Sequence, residues 1–244
     1  MLGRRHSGPA VPHGHSADGA HPILPPSLVG VNSGPLTVLL GPVARRGQDF
    51  DGLAAALRQH GELLTPGPAV PDHAVTLEEP ALAVLAAVSG NGAHAAALCG
   101  IGLGAMVALK VAAGFGRRVT ALVLSTTRTP ESTAIMSLAH GVRGLLPAET
   151  AQRLGAGPGQ VMDLLDQVRP VDYRGWTGPV TAPSLVLVGD RDVANLGPSM
   201  RLAQSLPTAK LQTVPRMASG WMTAQPERYA GLVADFLTDR PADV

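Results

Sequence analysis

The feature that most constrains the fold is an apolar run that leads directly into a glycine-rich turn and then into a helical pattern. The apolar residues 95–99 are followed by Gly100-Ile101-Gly102-Leu103-Gly104, and the next residues predict a helix to about Gly114. Glycine adopts turn conformations that are strained for other residues. The pattern therefore predicts a buried strand that turns sharply into a helix.

The rest of the chain repeats this alternation of apolar runs and helical patterns. Strands that are apolar on both faces and alternate with helices favour an α/β fold with a mostly parallel sheet and helices on both faces. The predicted strands cover residues 35–41, 62–65, 95–99, 119–125, 184–188 and 209–214, and the predicted helices cover 51–60, 77–89, the segment up to about 114, 199–205 and 226–237.

Two stretches depart from the alternation. Residues 130–181 contain helical patterns around 135–145, 148–154 and 160–168 and no clear strand, which predicts a small helical lid inserted over the carboxyl ends of the strands. Residues 1–27 are rich in Gly, Pro, His and Ser and are predicted to be a disordered leader. The core domain is then expected to consist of residues 28–129 and 182–244.

The composition of the chain indicates which kinds of binding partner and which cellular compartment to expect. The net charge is +1 and no Lys/Arg run stands out, so we expect neither a nucleic-acid nor a membrane partner. The single cysteine, Cys99, leaves no intrachain disulfide, and we expect a cytoplasmic protein. Only two of the 19 basic residues are lysines, and the many Ala, Gly, Pro and Arg residues are typical of a GC-rich bacterial genome.

Three segments together resemble the α/β-hydrolase superfamily, over about residues 27–237. The glycine turn has the spacing of the nucleophile elbow, Gly-x-Ser-x-Gly. The segment 183–192 resembles the strand and turn that present the family's acid, which would be Asp192. The segment 214–227 resembles the loop that carries the catalytic histidine. The resemblance implies an α/β-hydrolase fold with its pocket at the carboxyl ends of the strands.

The departures from the family pattern indicate a member without a complete catalytic triad. The nucleophile position is Gly102, the histidine position falls on Ser219, and no histidine follows His140. A Ser–His–Asp mechanism needs a nucleophile, a base within hydrogen-bond reach and a group that orients the base. Since only Asp192 is left, we expect a protein that is not an ordinary serine hydrolase.

The oxyanion hole of the family consists of backbone N–H groups, which do not depend on the missing side chains. The resemblance assigns this role to the amides of Val43 and Leu103, with Gly102 opening space beside them. The site is therefore expected to bind a carbonyl or enolate oxygen without attacking it.

Several side chains are candidates for the remaining chemistry, each with a plainer interpretation. Asp192, His73 and His140 are candidate proton-transfer groups, although a relic carboxylate and solvated loop histidines would look the same in the sequence. The candidate substrate contacts are Arg128, Ser219 and Trp221, for which surface solvation or packing is the plainer interpretation. Ser125 and Ser219 are possible replacement nucleophiles, but no histidine is placed to activate them.

Together with the composition, the resemblance to triad-deficient members of the superfamily favours a cofactor-independent, non-hydrolytic enzyme of bacterial secondary metabolism that acts on a carbonyl-containing small molecule. Cyclisation, C–C bond formation by conjugate addition and epimerisation are the expected reaction types, with no cofactor and no metal. Three alternatives stay open: a non-catalytic binding protein, a hydrolase with a displaced nucleophile, and an NADP-binding Rossmann protein. The last follows from Gly100-x-Gly102-x-x-Ala105, with Arg128 after the next strand.

Overall fold

The structure is a computed structural model that describes residues 36–41, 48–66, 77–125 and 173–239. These residues form a six-stranded parallel sheet with helices packed against it, which confirms the predicted α/β architecture. The strands are β1 (Thr37–Leu40), β2 (Leu63–Leu64), β3 (Ala96–Ile101), β4 (Val119–Ser125), β5 (Ser184–Gly189) and β6 (Ala209–Val214). The helices are α1 (Gln48–Arg58), α2 (Glu78–Gly90), α3 (Leu103–Gly114), α4 (Arg174–Thr177), α5 (Leu196–Ser205), α6 (Trp221–Ala224) and α7 (Pro226–Thr238), with a 3₁₀ turn at Gly116–Arg118.

The order of the strands across the sheet is β2-β1-β3-β4-β5-β6. From β1 the chain first moves to one edge of the sheet to form β2, and then crosses to β3 and continues towards the other edge. The direction therefore reverses between β1 and β3. In open parallel sheets, ligands bind in the crevice at such a switch point, outside the carboxyl ends of the strands. In this chain that crevice lies between Gly41 and Gly102.

The sheet separates two apolar cores, as the alternation of side chains along each strand requires. Along β1, Val38 and Leu40 face the core covered by α2, α3, α4 and α5, whereas Leu39 faces the core covered by α1, α6 and α7. Along β3, Leu98 faces the first of these cores and Cys99 faces the second. Burial on both faces explains why the strands are near-continuous apolar runs in the sequence.

The end of the predicted insertion packs on the first of these cores. Tyr173 and Val180 are buried there, and Trp176 lies under the Lys110 ammonium, whose Nζ is 4.7 Å from the ring centroid. Lys110 also forms a 2.6 Å ion pair with Glu78. One lysine of α3 thus contacts both the start of α2 and the helix α4. The helices predicted around 135–145, 148–154 and 160–168, and the leader 1–27, lie outside the described residues.

The contact between α3 and β1 leaves no room for a side chain. A Cβ atom on Gly104 would lie 2.2 Å from the carbonyl oxygen of Leu40 and 2.8 Å from that of Gly41. A Cβ atom on Gly100 would lie 2.4 Å from the Cα of Ala105. Both obstacles are backbone, so the spacing of the glycines is a packing requirement of the strand–turn–helix unit.

We expect Gly104→Ala to destabilise the protein by at least about 2 kcal/mol, because the added methyl displaces α3 from β1. The matched control is Gly52→Ala in α1, where a Cβ atom meets nothing within 4 Å and where alanine is expected to stabilise the helix by about 0.5–1 kcal/mol. Urea denaturation of both variants measures the two effects. Equal stability of the two variants would contradict the packing requirement.

Candidate functional site

The glycine turn forms a sharp elbow between β3 and α3 at the switch-point crevice. Gly102 stands at its apex with φ 62° and ψ −120°. Its N–H donates to the carbonyl oxygen of Ser125 at the end of β4 (3.0 Å), and its own carbonyl accepts from the N–H of Ala105 (3.2 Å). A residue with a side chain would be strained in this positive-φ conformation by an order of 1–3 kcal/mol, whereas glycine accepts it freely.

The elbow directs the N-terminus of α3 at the crevice. Leu103 is the first residue of α3, and the first amides of a helix have no carbonyl partner within that helix. Together with the partial positive charge of the helix terminus, they favour an oxygen that carries negative charge. Leu103, predicted to supply one half of an oxyanion hole, thus lies at the start of α3, and its role in ligand binding stays a prediction. Val43, the other half, lies outside the described residues.

Asp192 is buried in the turn that follows β5, and both of its carboxylate oxygens are engaged. The side-chain amide of Asn195 donates to Oδ1 and to Oδ2 at 2.9 Å each, and the Asn195 backbone N–H lies 3.3 Å from Oδ1. The backbone carbonyl of Asp192 accepts from the N–H groups of Asn195 and Leu196, at the start of α5. The carboxylate therefore caps this turn, and any further role must use its remaining lone pairs.

The environment of Asp192 also affects its protonation. Burial raises the pKa of the Asp192 carboxyl above its ordinary value, and the hydrogen bonds from the Asn195 side chain and backbone oppose this shift without cancelling it. Asn195 was not singled out in the sequence. The Asp-x-x-Asn spacing before a helical pattern is a usable signal for it, since such side chains commonly cap the first turn of a helix.

The loop after β6, where the family carries its histidine, is fixed to the Asp192 turn. The N–H of Arg191 donates to the carbonyl oxygen of Met217 (2.9 Å), and the N–H of Met217 donates to Oδ1 of Asp190 (3.2 Å). Farther along the loop Ser219 is exposed. The loop then enters α6 at Trp221, which is buried.

The elbow and the Asp192 turn follow β3 and β5, which are two strands apart in the sheet. The two turns are thus separated by about 10 Å across the sheet.

Trp221 and Tyr229 form an aromatic pair beneath this loop. Their ring centroids are 5.7 Å apart at an interplanar angle of 59°. Both side chains belong to the core that α1, α6 and α7 cover. The indole N–H of Trp221 is buried and has no acceptor among the described residues. Packing in the core therefore explains the position of the Trp221 ring, but it does not explain the buried indole N–H.

Ser125, a possible replacement nucleophile in the sequence, is fully buried at the end of β4. Its hydroxyl lies 3.1 Å from the hydroxyl of Tyr229, which is also fully buried. Tyr229 was not singled out in the sequence. The chain has only two tyrosines, and Tyr229 lies on the apolar face of the last helical pattern. Because buried tyrosines usually hydrogen-bond through their hydroxyl, this position was the available signal for a polar partner in the core.

The two histidines that the structure describes lie away from the elbow. His60 precedes β2 and His94 precedes β3, so both stand at the amino edge of the parallel sheet. A cleft of about 100 Å³ at that edge is lined by Leu57, His60, Val233 and Leu237 among other residues, and it does not adjoin the elbow. The candidates His73, His140 and Arg128 lie outside the described residues.

Two negative findings apply to the described ranges alone. No group of three or more His, Cys, Asp or Glu residues there is arranged to hold a metal ion. No helix within them has the length and apolar character that crossing a bilayer requires.

Comparison with solved structures identifies the architecture. An esterase from Exiguobacterium antarcticum superposes with a TM-score of 0.68 at 14% identity and covers 84% of this chain and 92% of its own. A hydrolase from Pseudomonas aeruginosa gives 0.67 at 21% identity, covering 85% and 91% of the two chains. The enol-lactonase from Burkholderia xenovorans gives 0.65 at 18% identity, covering 84% and 92%.

This chain has the α/β-hydrolase fold, as these superpositions and the parallel sheet together show. Neither a protein-family model nor a curated protein matches the sequence. At identities of 14–21%, the likeness establishes the fold alone, so the activity has to be inferred from the residues of the site.

The raised pKa of Asp192 leads to a pH-dependent stability difference between the wild-type protein and Asp192→Asn. Because the native state holds the proton to higher pH than the unfolded chain, the native state is progressively disfavoured as the pH rises from about 4 through the raised pKa. We therefore expect the stability of the wild type, relative to Asp192→Asn, to fall over this window. Denaturation at a series of pH values measures the difference.

The exposed Asp235 on α7 supplies the control, because Asp235→Asn removes one negative charge without removing a buried carboxylate. A wild-type advantage over Asp192→Asn that grows with pH, after this correction, would show that the carboxylate is stabilised in its charged form and would contradict the prediction.

Proposed function

We propose that this protein is a cofactor-independent enzyme that performs non-hydrolytic chemistry on a carbonyl-containing small molecule. Its site is the crevice between the elbow and the loops after β5 and β6. Cyclisation, C–C bond formation by conjugate addition and epimerisation are the reaction types that need the fewest reactive groups. The Ala-, Gly- and Arg-rich composition supports a bacterial source and, with the fold, a role in secondary metabolism.

The observation that carries the proposal is the glycine at the apex of the elbow. Gly102 keeps the positive-φ turn but has no nucleophile, and the α3 amides remain directed at the same place. The neighbouring Ser125 hydroxyl is buried against Tyr229 and is not free to replace the missing nucleophile. This arrangement supports a site that binds an oxyanion through the start of α3 and has no nucleophile at the apex of the elbow.

The chemistry follows from that arrangement. A substrate carbonyl that accepts from the Leu103 N–H becomes more acidic at its α-carbon, because the helix terminus stabilises the developing enolate oxygen. Binding in a crevice also fixes the reacting atoms relative to one another. Proton transfer is assigned to Asp192, His73 or His140, or to an acidic group of the substrate.

A hydrolase with a displaced nucleophile is the second candidate, because the solved structures with the same fold include an esterase and an enol-lactonase. In the described part of the chain, the exposed Ser219 is the hydroxyl of the loop after β6 that such a reaction would use. A binding protein would use the same crevice. The dinucleotide alternative gains no support, since these structures carry the names of hydrolytic enzymes.

Gly102→Ser is expected to leave hydrolysis of p-nitrophenyl esters at the wild-type background. The variant introduces a hydroxyl at the apex but no histidine in the loop after β6 to activate it, since no histidine follows His140 in the sequence. Gly102→Ala is the matched control, because it introduces the same backbone strain without a hydroxyl. Strong esterase activity in Gly102→Ser alone would show that a functional base is present and that the proposal is wrong on this point.

The reaction itself is tested by incubating the purified protein with small-molecule extract of a source strain that lacks its gene. We expect a compound to be consumed and replaced by an isomer of equal mass, detected by mass spectrometry and chromatography. Asp192→Asn and a Ser219→Ala variant, run in parallel, assign the contribution of each side chain. Addition of water to a compound would support the hydrolase, and a compound that co-purifies unchanged would support the binding protein.

A further inference from the structure

The end of β4 is the neighbour that holds the apex of the elbow. The carbonyl oxygen of Ser125 accepts the N–H of Gly102 at 3.0 Å, and Ile101 pairs with Ser125 in the β3–β4 register. Because Gly102 has no side chain, the apex is not fixed by side-chain packing of its own. Besides the Ala105 N–H that the Gly102 carbonyl accepts, the Ser125 carbonyl is the group that anchors the apex, at the N–H of Gly102.

The Ser125 side chain is in turn held by α7. Its hydroxyl lies 3.1 Å from the Tyr229 hydroxyl, and both residues are completely buried. One hydroxyl donates to the other, and a buried hydroxyl that loses this partner has no water to replace it, so the two side chains are coupled. Burial also raises the pKa of Tyr229, so both members are neutral at physiological pH.

Tyr229 is itself held from the other side. Its ring packs against Trp221 at the start of α6, directly after the loop where the family carries its histidine. The hydroxyl pair therefore connects the loop after β6 and α7 with the end of β4. From Ser125 the connection continues through one backbone hydrogen bond to Gly102.

We propose that Tyr229 is a positioning residue for the elbow. Through Ser125 it fixes the carbonyl that anchors the Gly102 peptide, and so it orients the Leu103 amide towards the crevice. The inference rests on the proposed function only where it assigns the Leu103 amide to ligand binding. The geometric claim stands without a substrate.

The test is amide hydrogen exchange, measured by NMR on the full chain. Tyr229→Phe removes only the hydroxyl. We expect it to accelerate exchange of the Gly102 amide by about tenfold beyond any change in mid-strand amides such as Val123, in line with the loss of a typical hydrogen bond. The Leu103 amide resonance is expected to shift with it. Tyr173→Phe is the matched control, since Tyr173 is the other tyrosine and is buried on the opposite face of the sheet.

Ser125→Ala probes the same pair from its other member and replaces Tyr229→Phe if that variant does not fold. The two variants and their combination form a double-mutant cycle. If the effect on Gly102 passes through the pair, the double variant accelerates Gly102 exchange no more than either single variant does. Additive effects, or a Gly102 amide that responds no more than Val123, would overturn the inference.

Neither readout requires a substrate, so this inference and the proposed function fail separately. A Gly102 amide that responds to Tyr229→Phe, in a protein that converts no compound, would support the positioning role and contradict the enzyme. Conversion of a compound with unchanged kcat and KM in a folded Tyr229→Phe protein, together with an unresponsive Gly102 amide, would support the enzyme and contradict the positioning role.

Discussion

The close contact between the backbone of α3 and the end of β1 is the constraint on which the rest of the structure depends. Gly104 brings the helix against the carbonyl groups of Leu40 and Gly41, where no Cβ atom fits. With the helix at this position, its N-terminus must open at the place where the sheet reverses direction, and β3 must turn sharply at Gly102 to reach it. The crevice and its amide donors are thus consequences of backbone packing. They do not depend on any reactive side chain.

The two cores contribute differently to this arrangement. The core between the sheet and α2, α3 and α5 is mainly aliphatic and sets the position of the helices. The other core contains Trp221 and Tyr229, in a chain with only seven aromatic residues among its Phe, Trp and Tyr. With so few aromatic side chains, each one determines a large share of local packing. The hydroxyl pair with Ser125 therefore lies where the last helix meets the site, and it connects the closing part of the chain to the elbow.

Most of the sheet could be predicted from the sequence, because strands buried on both faces are continuous apolar runs. β4 and β6 have the predicted bounds, and β3 extends to Ile101 because its pairing with β4 continues to Ser125. The helices α4 and α6 were missed, since four residues are too few for a helical period. The partner of Ser125 was missed for a different reason. Tyr229 is 104 residues away, and only the three-dimensional packing of α7 on the sheet brings the two hydroxyls together.

Glycine at the apex keeps the backbone turn without a nucleophilic side chain, whereas a serine in the same position would provide both. A side chain at φ 62° adds strain on the order of 1–3 kcal/mol, which a hydrolase tolerates because the strained residue is its nucleophile. With Gly102 the turn is free of that strain and is held by the Gly100 and Gly104 contacts and by the hydrogen bond to the Ser125 carbonyl, so these backbone interactions account for its persistence. The Leu103 amide is different, because no carbonyl of the helix can accept its N–H, whereas the Ala105 N–H already donates to the Gly102 carbonyl. The Leu103 N–H is therefore the donor of the elbow that the proposed function assigns to a ligand oxygen.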